Sequence, residues 1–293
     1  MNTSANSVAE VFLGKLLQKK IVVDYYISQY DTLVNDRKLV SKDSLRGKLI
    51  LLKDRSLLKA ADIVVFLNNA ESTYYQKVAG IKLSSKRTKI IPLCIDYKRE
   101  LFSNERPETE FFNVCWWGTY IPLHGLENLI KAFSHVHNEK IKLFIFGDTD
   151  AKAVPYISLI ESLGLRDRII VNNSYSFSSG KLAPFLAQNC DLAIGNFGSS
   201  EKAKTVLVNK LVDALSLGIP CLTMKTNATV ELIGNNEGLV ISDPTPEDIA
   251  RKIEMYSHDR TALHAIGQAG KRKYLDLFSP DSFKIKLIEL LKE

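Results

Sequence analysis

The stretch CWWGTYIPLHGLENLI (115–130) carries small and polar residues where a buried strand is expected to open into a helix. Gly118 and Thr119 follow the strand, and His124 and Gly125 precede the helix. In open α/β sheets, ligands bind beyond the carboxyl ends of the strands, where glycines leave room for a phosphate and free N–H groups donate hydrogen bonds to it. The stretch therefore predicts an anion-binding loop. A lone histidine such as His124 is also common as a capping or packing residue, which is the alternative.

A second polar loop leads into a helix in NFGSSEKAKTVLVNKLVDALSLGIP (196–220). Its candidate side chains are Lys202, Lys204, Asn209, Lys210 and Asp213. Asp213 lies four residues after Asn209 and three after Lys210, so all three can share one helix face. A lysine suits an anionic diphosphate, and a carboxylate suits a ribose hydroxyl. The alternative is an ordinary ion pair between Lys210 and Asp213 on a solvated face.

Short β-branched runs alternate with stretches of helical periodicity along the chain. The predicted strands are 21–27, 62–67, 89–94, 111–117, 142–147, 168–173, 191–196, 219–224 and 238–242. Strands that are apolar on both faces and separated by helices indicate parallel sheets built from βαβ units. The sequence therefore predicts a doubly wound α/β protein.

The polar segment 96–110 interrupts this alternation and predicts a linker between two domains. Residues 107–275 hold six strands, enough for a complete Rossmann-like domain, whereas residues 1–106 hold three and predict an incomplete one. The helix predicted over 276–293 can cross back to the first domain. The strand at 21–27 is expected to have an unpaired edge with exposed apolar surface over 9–27, which favours a homodimer or a partner chain.

Positive charge is concentrated in the first domain. Residues 1–106 carry 19 Lys and Arg against 11 Asp and Glu, and the segment 36–60 alone carries eight against three. The segment is either a solvated helix face or a surface for an anionic membrane or an anionic substrate. Nucleic acid is disfavoured because no aromatic residues interleave the basic ones.

The four cysteines share no short spacing, and three of them lie in apolar strands, as expected of reduced core residues. The chain has no apolar run of the ~20 residues that a membrane helix needs, and its first residues do not resemble a signal peptide. These features predict a cytoplasmic protein. The basic segment allows it to be peripheral on the inner face of the membrane.

GTYIPLHGLENLIKAF (118–133) with KLFIFGD (142–148) resembles the opening of the C-terminal domain in family 4-like glycosyltransferases of the GT-B fold. Some members carry this Pro-Leu-His-Gly loop. Residues 197–232 resemble the donor-site segment of the same group, with Lys-Ala, Asn-Lys and an acidic residue five positions before Gly-x-Pro. Weaker similarity to the N-terminal domain of these enzymes covers residues 22–38, 54–75 and 89–97.

The resemblance implies two Rossmann-like domains and transfer of a sugar from a nucleotide diphosphate to a glycan or lipid-linked acceptor, with retention and without a metal or further cofactor. Gly118, Thr119, Gly125 and His124 would line the diphosphate or the sugar. Lys204 and Lys210 would neutralise the leaving diphosphate, whose charge grows in the transition state. The remaining donor-binding positions implied by the motifs are Asn172 to Tyr175 for the base, Asp213 for the ribose, and Asn209.

Two positions depart from the family pattern: Thr205 stands where many members have a second glutamate, and Asp213 is one methylene shorter than the usual ribose-binding glutamate. The incomplete first domain leaves a second hypothesis open, that of a donor-binding fragment or subunit that needs a partner chain. A third hypothesis is another GT-B enzyme, such as a nucleotide-sugar epimerase.

Overall fold

Within the residues that the structure describes, nine parallel strands in two sheets form the framework. The computed structural model describes residues 8–96, 109–234 and 238–292. The strands are β1 (Val22–Asp24), β2 (Ile63–Phe66), β3 (Thr88–Ile90), β4 (Phe112–Trp117), β5 (Ile141–Phe146), β6 (Ile169–Val171), β7 (Leu192–Ile194), β8 (Cys221–Met224) and β9 (Leu239–Ser242). Each predicted strand region overlaps one of them, so the predicted parallel α/β class is confirmed.

The larger sheet has the order β6-β5-β4-β7-β8-β9. The chain starts at β4, builds outward to β6, then returns to β7 on the other side of β4. The strand order therefore reverses between β4 and β7, which is where open α/β sheets place their ligand crevice. Its helices are α4 (Leu126–Ala132), α5 (Asp150–Ser162), α6 (Leu182–Asn189), α7 (Asn209–Leu217), α8 (Asn227–Leu232), α9 (Pro246–Ser257) and α10 (Arg260–Leu277).

The smaller sheet has the order β1-β2-β3. The helices associated with this sheet are α1 (Val8–Leu16), α2 (Leu45–Ala60), α3 (Asn69–Ala79) and α11 (Pro280–Lys292). On one face of β2, Val64 and Phe66 join the apolar core beneath the helices α1 to α3. On the other face, Ile63 and Val65 pack with Leu290 of α11, so the last helix of the chain returns to the first domain.

Most predicted strands are longer than the observed ones, and two of them extend furthest past the carboxyl end of the observed strand. The prediction of 21–27 extends past β1, which ends at Asp24, and that of 89–94 extends past β3, which ends at Ile90. Pro92 follows β3 and has no N–H to donate to a neighbouring strand, so it ends the ladder there. Most of the predicted linker, residues 97–108, lies outside the described residues.

The outer surface of α1 is apolar, as the sequence predicts for this region. Phe12, Leu13, Leu16 and Leu17 are more than half exposed. β1 pairs with β2 on one side, and within the described residues no strand pairs with its other edge. Among residues 8–96, 109–234 and 238–292, none of the helices combines the length and the apolar character that spanning a lipid bilayer requires.

Candidate active site

The loop after β4 turns sharply at glycines. Gly118 has φ +138°, a conformation that side chains disfavour, and its N–H bonds the Phe146 carbonyl of β5. A 3₁₀ turn, Pro122–His124, follows and ends at Gly125, whose φ is +63°. The loop therefore leaves the carboxyl end of β4, doubles back and begins α4, which brings His124 towards the start of the loop.

Gly125 is required where two loops touch. A Cβ at this position would lie 2.4 Å from the carbonyl carbon and oxygen of Phe197. The Phe197 N–H donates to the His124 carbonyl at 3.2 Å, while Asn196, which is buried, accepts from the N–H of Gly198. The loop after β4 and the loop after β7 are thus locked together on opposite sides of the switch point.

Lys210 lies in the first turn of α7, and its side chain points towards the junction of these two loops. It is 3% exposed, and its Nζ lies 4.0 Å above the ring of Trp116. Within the described part of the chain, this Nζ has no hydrogen-bond partner. Burial lowers the pKa of Lys210 well below its usual 10.5, because a cation away from water is disfavoured unless an anion compensates it.

Gly118, His124 and Lys210 meet at one point. A Cβ at Gly118 would lie 3.3 Å from Lys210 Nζ and 3.6 Å from His124 Nε2. The space that a side chain would fill is therefore faced by a lysine, an imidazole and the open backbone of a glycine. These groups suit an anion, since each can present a positive charge or a hydrogen-bond donor.

His124 is neutral in this environment. Burial first, and then the nearby charge of Lys210, lower its pKa well below 6.5. Its Nδ1 has no partner within the described residues, and the ring meets the edge of Trp116 at a centroid distance of 6.0 Å. A neutral imidazole can still donate one hydrogen bond, through whichever nitrogen carries its proton.

Asp213 lies one turn after Lys210 on α7. It is 4% exposed, and its Oδ2 accepts from the indole nitrogen of Trp117 at 2.9 Å. Lys210 and Asp213 are both buried, so the alternative of an ion pair on a solvated helix face is wrong. The structure gives Asp213 a partner in β4 and places it beneath the same junction.

A cleft of ≈ 470 Å³ opens beside the ends of β5 and β6. It is lined by Asp148, Thr149, Asp150, Ile170, Val171, Asn172, Asn173 and Ser174. The Asn173 amide holds the cleft in shape, because its oxygen accepts from Tyr120 and Gly147 while its nitrogen donates to Asp150. Asn172 lies in the cleft, and Tyr175 instead stacks on Phe146 at a centroid distance of 5.8 Å.

The remaining predicted site residues are more exposed. Thr119 is on the surface of the loop, and its carbonyl accepts from the Ile121 N–H. Lys204 is exposed and its Nζ lies 2.6 Å from the carboxylate of Glu201. The structure therefore brings together Gly118, His124 and Lys210, with Asp213 below them, and leaves Lys204 and Thr119 at the rim.

The first domain reaches this site through Asn209 at the start of α7. The Tyr26 hydroxyl, which follows β1, lies 3.1 Å from the Asn209 amide oxygen. Burial raises the pKa of Tyr26, so its hydroxyl is protonated and donates this bond. The carboxyl ends of the first sheet therefore face the site across the gap between the two domains.

Sequence reasoning missed Trp116, Asp148, Asp150 and Tyr26. The two aspartates could have been found, because FGDTD stands at the carboxyl end of a strand that neighbours β4. Trp116 and Tyr26 gave no signal of their own, since an aromatic residue in a strand or just after it is ordinary in a core.

Residues 97–273 match the family described as glycosyl transferases group 1. The match covers more than half of the chain, so the protein belongs to this family of glycosyltransferases and has the GT-B type of domain. The family favours glycosyl transfer over the epimerase alternative. A comparison with curated proteins found no match.

Three solved structures resemble the chain. They are sucrose-phosphate synthase from Thermosynechococcus elongatus (15% identity, TM-score 0.76, 97% of this chain and 71% of that one), Anabaena Alr3699/HepE in complex with UDP-glucose (17%, 0.75, 99% and 77%) and a glycosyltransferase from Rickettsia africae (16%, 0.69, 100% and 83%). At these identities the likeness shows a shared fold over nearly the whole chain.

Proposed function

We propose that the protein is a family 4-like enzyme that transfers a sugar, with retention and without a metal ion, from a nucleotide-diphosphate sugar to a glycan or lipid-linked acceptor. The observation that carries the proposal is Lys210, a buried lysine whose ammonium has no hydrogen-bond partner within the described residues. A diphosphate at this point would supply the missing anion. The reported complexes of Anabaena Alr3699/HepE with UDP and UDP-glucose support a donor of this class.

Lys210 would act most strongly on the leaving group. When the bond between the sugar and the diphosphate breaks, negative charge grows on the diphosphate oxygens, and a buried cation stabilises that charge more than it stabilises the intact donor. A bound diphosphate also raises the pKa of Lys210 again. The lysine is then charged when the reaction needs it.

Gly118 and His124 would hold the same group from the other side. Because Gly118 has no side chain, a phosphate or sugar oxygen can reach the space beside Lys210. Neutral His124 would donate one hydrogen bond to the diphosphate or to a sugar hydroxyl. Gly125 contributes indirectly, because it permits the loop contact that fixes His124.

The nucleoside would lie in the cleft at the ends of β5 and β6. Asn172 lines this cleft, and its amide nitrogen can pair with the edge of a base, whereas the Asn173 amide is already bonded to Tyr120, Gly147 and Asp150. Asp213 is our candidate for the ribose contact, with Asn209 beside it, although the bond from Trp117 occupies one of its carboxylate oxygens. Lys204 at the rim would add a second positive charge if it left Glu201.

The acceptor would enter from the first domain, whose Tyr26 already reaches Asn209. We place the protein in the cytoplasm, where nucleotide sugars are available to it, with a peripheral position on the inner face of the membrane.

The first measurement is a thermal-shift panel of nucleoside diphosphates and the matching nucleosides. A ligand that binds the folded state raises its melting temperature by mass action.

We expect one nucleoside diphosphate to stabilise the chain more than its nucleoside does, and the corresponding nucleotide sugar to be consumed when a suitable acceptor is present. The anomeric configuration of the product, read by NMR, tests retention. A panel in which no diphosphate shifts the melting temperature would contradict the proposal.

A second candidate function is a donor-binding subunit that needs another chain for transfer. The observation that favours it is the apolar outer surface of α1 beside the open edge of β1. In that case the protein binds the nucleotide sugar, yet acceptor-dependent transfer appears only after the partner is added. Size-exclusion chromatography and a transfer assay of the chain alone distinguish the two, because an active monomer excludes the second candidate.

A further inference from the structure

A stripe of exposed leucines runs along α2. Leu45, Leu49 and Leu52 are 74%, 51% and 58% exposed. Their spacing, i, i+4 and i+7, places all three on one face of the helix. We call this face the leucine stripe. Three large aliphatic side chains in a row, all exposed, are unusual in a helix whose other face is buried.

The opposite face of α2 is firmly packed, so the stripe is not a side of the helix that turns inward. Ile50, Leu57 and Leu58 are buried there. Asp54, also buried, accepts from the Ser28 hydroxyl at 2.6 Å and from the Tyr30 N–H at 3.0 Å. The inner face therefore fixes the rotation of α2, and the leucines stay outside.

Basic residues border the stripe on both sides. At 100° per residue, Lys48 and Lys59 fall on one side of it, and Arg46 and Lys53 on the other. All four are exposed. Between residues 37 and 60, all of which the structure describes, Asp43 is the only exposed acidic residue.

The loop before α2 extends the same surface. Val40 is buried with Val34 and Ile50, which anchors the loop against the helix. Its neighbour Leu39 is 68% exposed, and Arg37 and Lys38 are exposed beside it. An aliphatic residue with basic neighbours is thus repeated at the amino end of the stripe.

We propose that the leucine stripe, with its basic borders and Leu39, docks the protein onto an anionic lipid bilayer. Aliphatic side chains in the middle enter the boundary between headgroups and acyl chains, while lysine and arginine stems extend outward to lipid phosphates. The proposal rests on the peripheral membrane position in the proposed function and names the surface that provides it, and it does not depend on the identity of the sugar donor.

Charge decides between a bilayer and the other occupants. A second copy docked face to face would bring two strongly basic surfaces together, which repel. Nucleic acid would match the basic residues but not the leucines, and residues 37–60 contain no aromatic side chain on which a base could stack. An anionic bilayer matches both features at once.

The test is flotation of the full chain with vesicles of phosphatidylcholine alone, or with about one-third phosphatidylglycerol, a composition that gives a negative surface potential. We expect binding to the anionic vesicles that weakens with added salt. Each basic residue near such a surface strengthens binding about fivefold, or ~1 kcal/mol, so Lys48→Glu/Lys53→Glu should bind at least about 25-fold more weakly.

The triple variant Leu45→Ser/Leu49→Ser/Leu52→Ser should bind at least about tenfold more weakly, because each leucine loses its apolar contact with the acyl region. A matched control changes three exposed apolar residues of the other domain, Val154→Ser/Met255→Ser/Leu275→Ser, and should bind like the parent. Lys131→Glu/Lys181→Glu is the corresponding charge control on exposed lysines.

All four variants alter exposed side chains, and a thermal melt together with nucleoside diphosphate binding verifies that each is folded. Three results would overturn the proposal. These are absent binding or equal binding to neutral vesicles, stripe variants that bind like their controls, and a dimer in solution that the leucine substitutions dissociate. The last of these would assign the stripe to a second copy, and failed donor binding alone would affect the proposed function instead.

Discussion

Lys202 and Lys210 are eight residues apart, similarly buried, and differ in what surrounds the ammonium group. Lys202 Nζ lies 3.2 Å from the carboxylate of Asp31 and 3.2 Å from the Thr32 hydroxyl, both in the first domain. Lys210 Nζ has the ring of Trp116 and no hydrogen-bond partner within the described residues. One buried charge is neutralised by the fold, and the other is available to a ligand.

The difference teaches how a buried lysine can be assigned. A cation inside a protein is tolerated when it is paired, and one without a partner lowers stability unless something else brings the counter-charge. Lys202 therefore stabilises the contact between the two domains, whereas Lys210 is available to bind an anionic ligand. The following predictions test this contrast.

The largest expected effect is on Lys202. Lys202→Met leaves the fully buried carboxylate of Asp31 without its cation, and such a loss lowers the free energy of unfolding by ~3–5 kcal/mol. Urea denaturation measures it. The matched control is Lys210→Met, which removes a buried amine that has no hydrogen-bond partner within the described residues and should leave the stability of the ligand-free protein unchanged or higher. Equal losses in both variants would end the contrast.

The next effect concerns Glu71, a buried acid in α3 that lies near Lys202. Burial raises its pKa from 4.5 to about 8, and the charge of Lys202 acts in the opposite direction. The folded state holds the proton more tightly than the unfolded state, so the stabilisation is complete below pH 4.5 and is lost as pH rises through 8.

Glu71→Gln removes this dependence. Between pH 5 and pH 8 the free energy of unfolding should fall by ~2–4 kcal/mol more in the parent than in the variant, since a pKa unit corresponds to ~1.4 kcal/mol. Denaturation at several pH values measures the difference, with exposed Glu127→Gln as the control. Parallel pH profiles for parent and Glu71→Gln would show that Glu71 ionises freely.

The smallest effect is at a second contact between the domains. The Glu231 carboxylate of α8 accepts from the backbone N–H groups of Asn69 and Ala70 at 2.7 and 3.1 Å, so it caps α3 from the other domain. Because Glu231 is exposed, Glu231→Ala should cost only ~0.5–1 kcal/mol of unfolding free energy. Glu231→Gln, which keeps one acceptor, should cost less. A loss as large as that of Lys202→Met would be inconsistent with this ranking.

Much of the fold could be predicted from sequence because it depends on local pattern. The alternation of apolar strands and helices gave nine strand regions and two sheets, and the glycines of 118–125 indicated the loop after β4. The strand ends at 27 and 94 were wrong because Pro92 ends one ladder at a single residue and pairing with β2 stops after Asp24 in the other, and both effects act below the length at which periodicity is informative.

The site could be predicted only in part, because its distinctions are long-range. Residues 197–208 form turns without helical periodicity, so spacing gave no means to tell buried Lys202 from exposed Lys204. The bond between Trp117 and Asp213 joins residues far apart in sequence, and so does the contact of Tyr26 with Asn209. The exposure of the leucine stripe was equally hidden, because its leucines look like core residues in the sequence.

The central claim is that Lys210 binds the diphosphate of the donor. Calorimetric titration of Lys210→Met tests it most directly. The ligands are the preferred nucleoside diphosphate and its nucleoside, and exposed Lys131→Met is the control. We predict a dissociation constant about 10- to 150-fold higher for the diphosphate, since a charge-assisted hydrogen bond is worth ~1.5–3 kcal/mol, and an unchanged one for the nucleoside. Equal changes for both ligands, or none for either, would contradict the account.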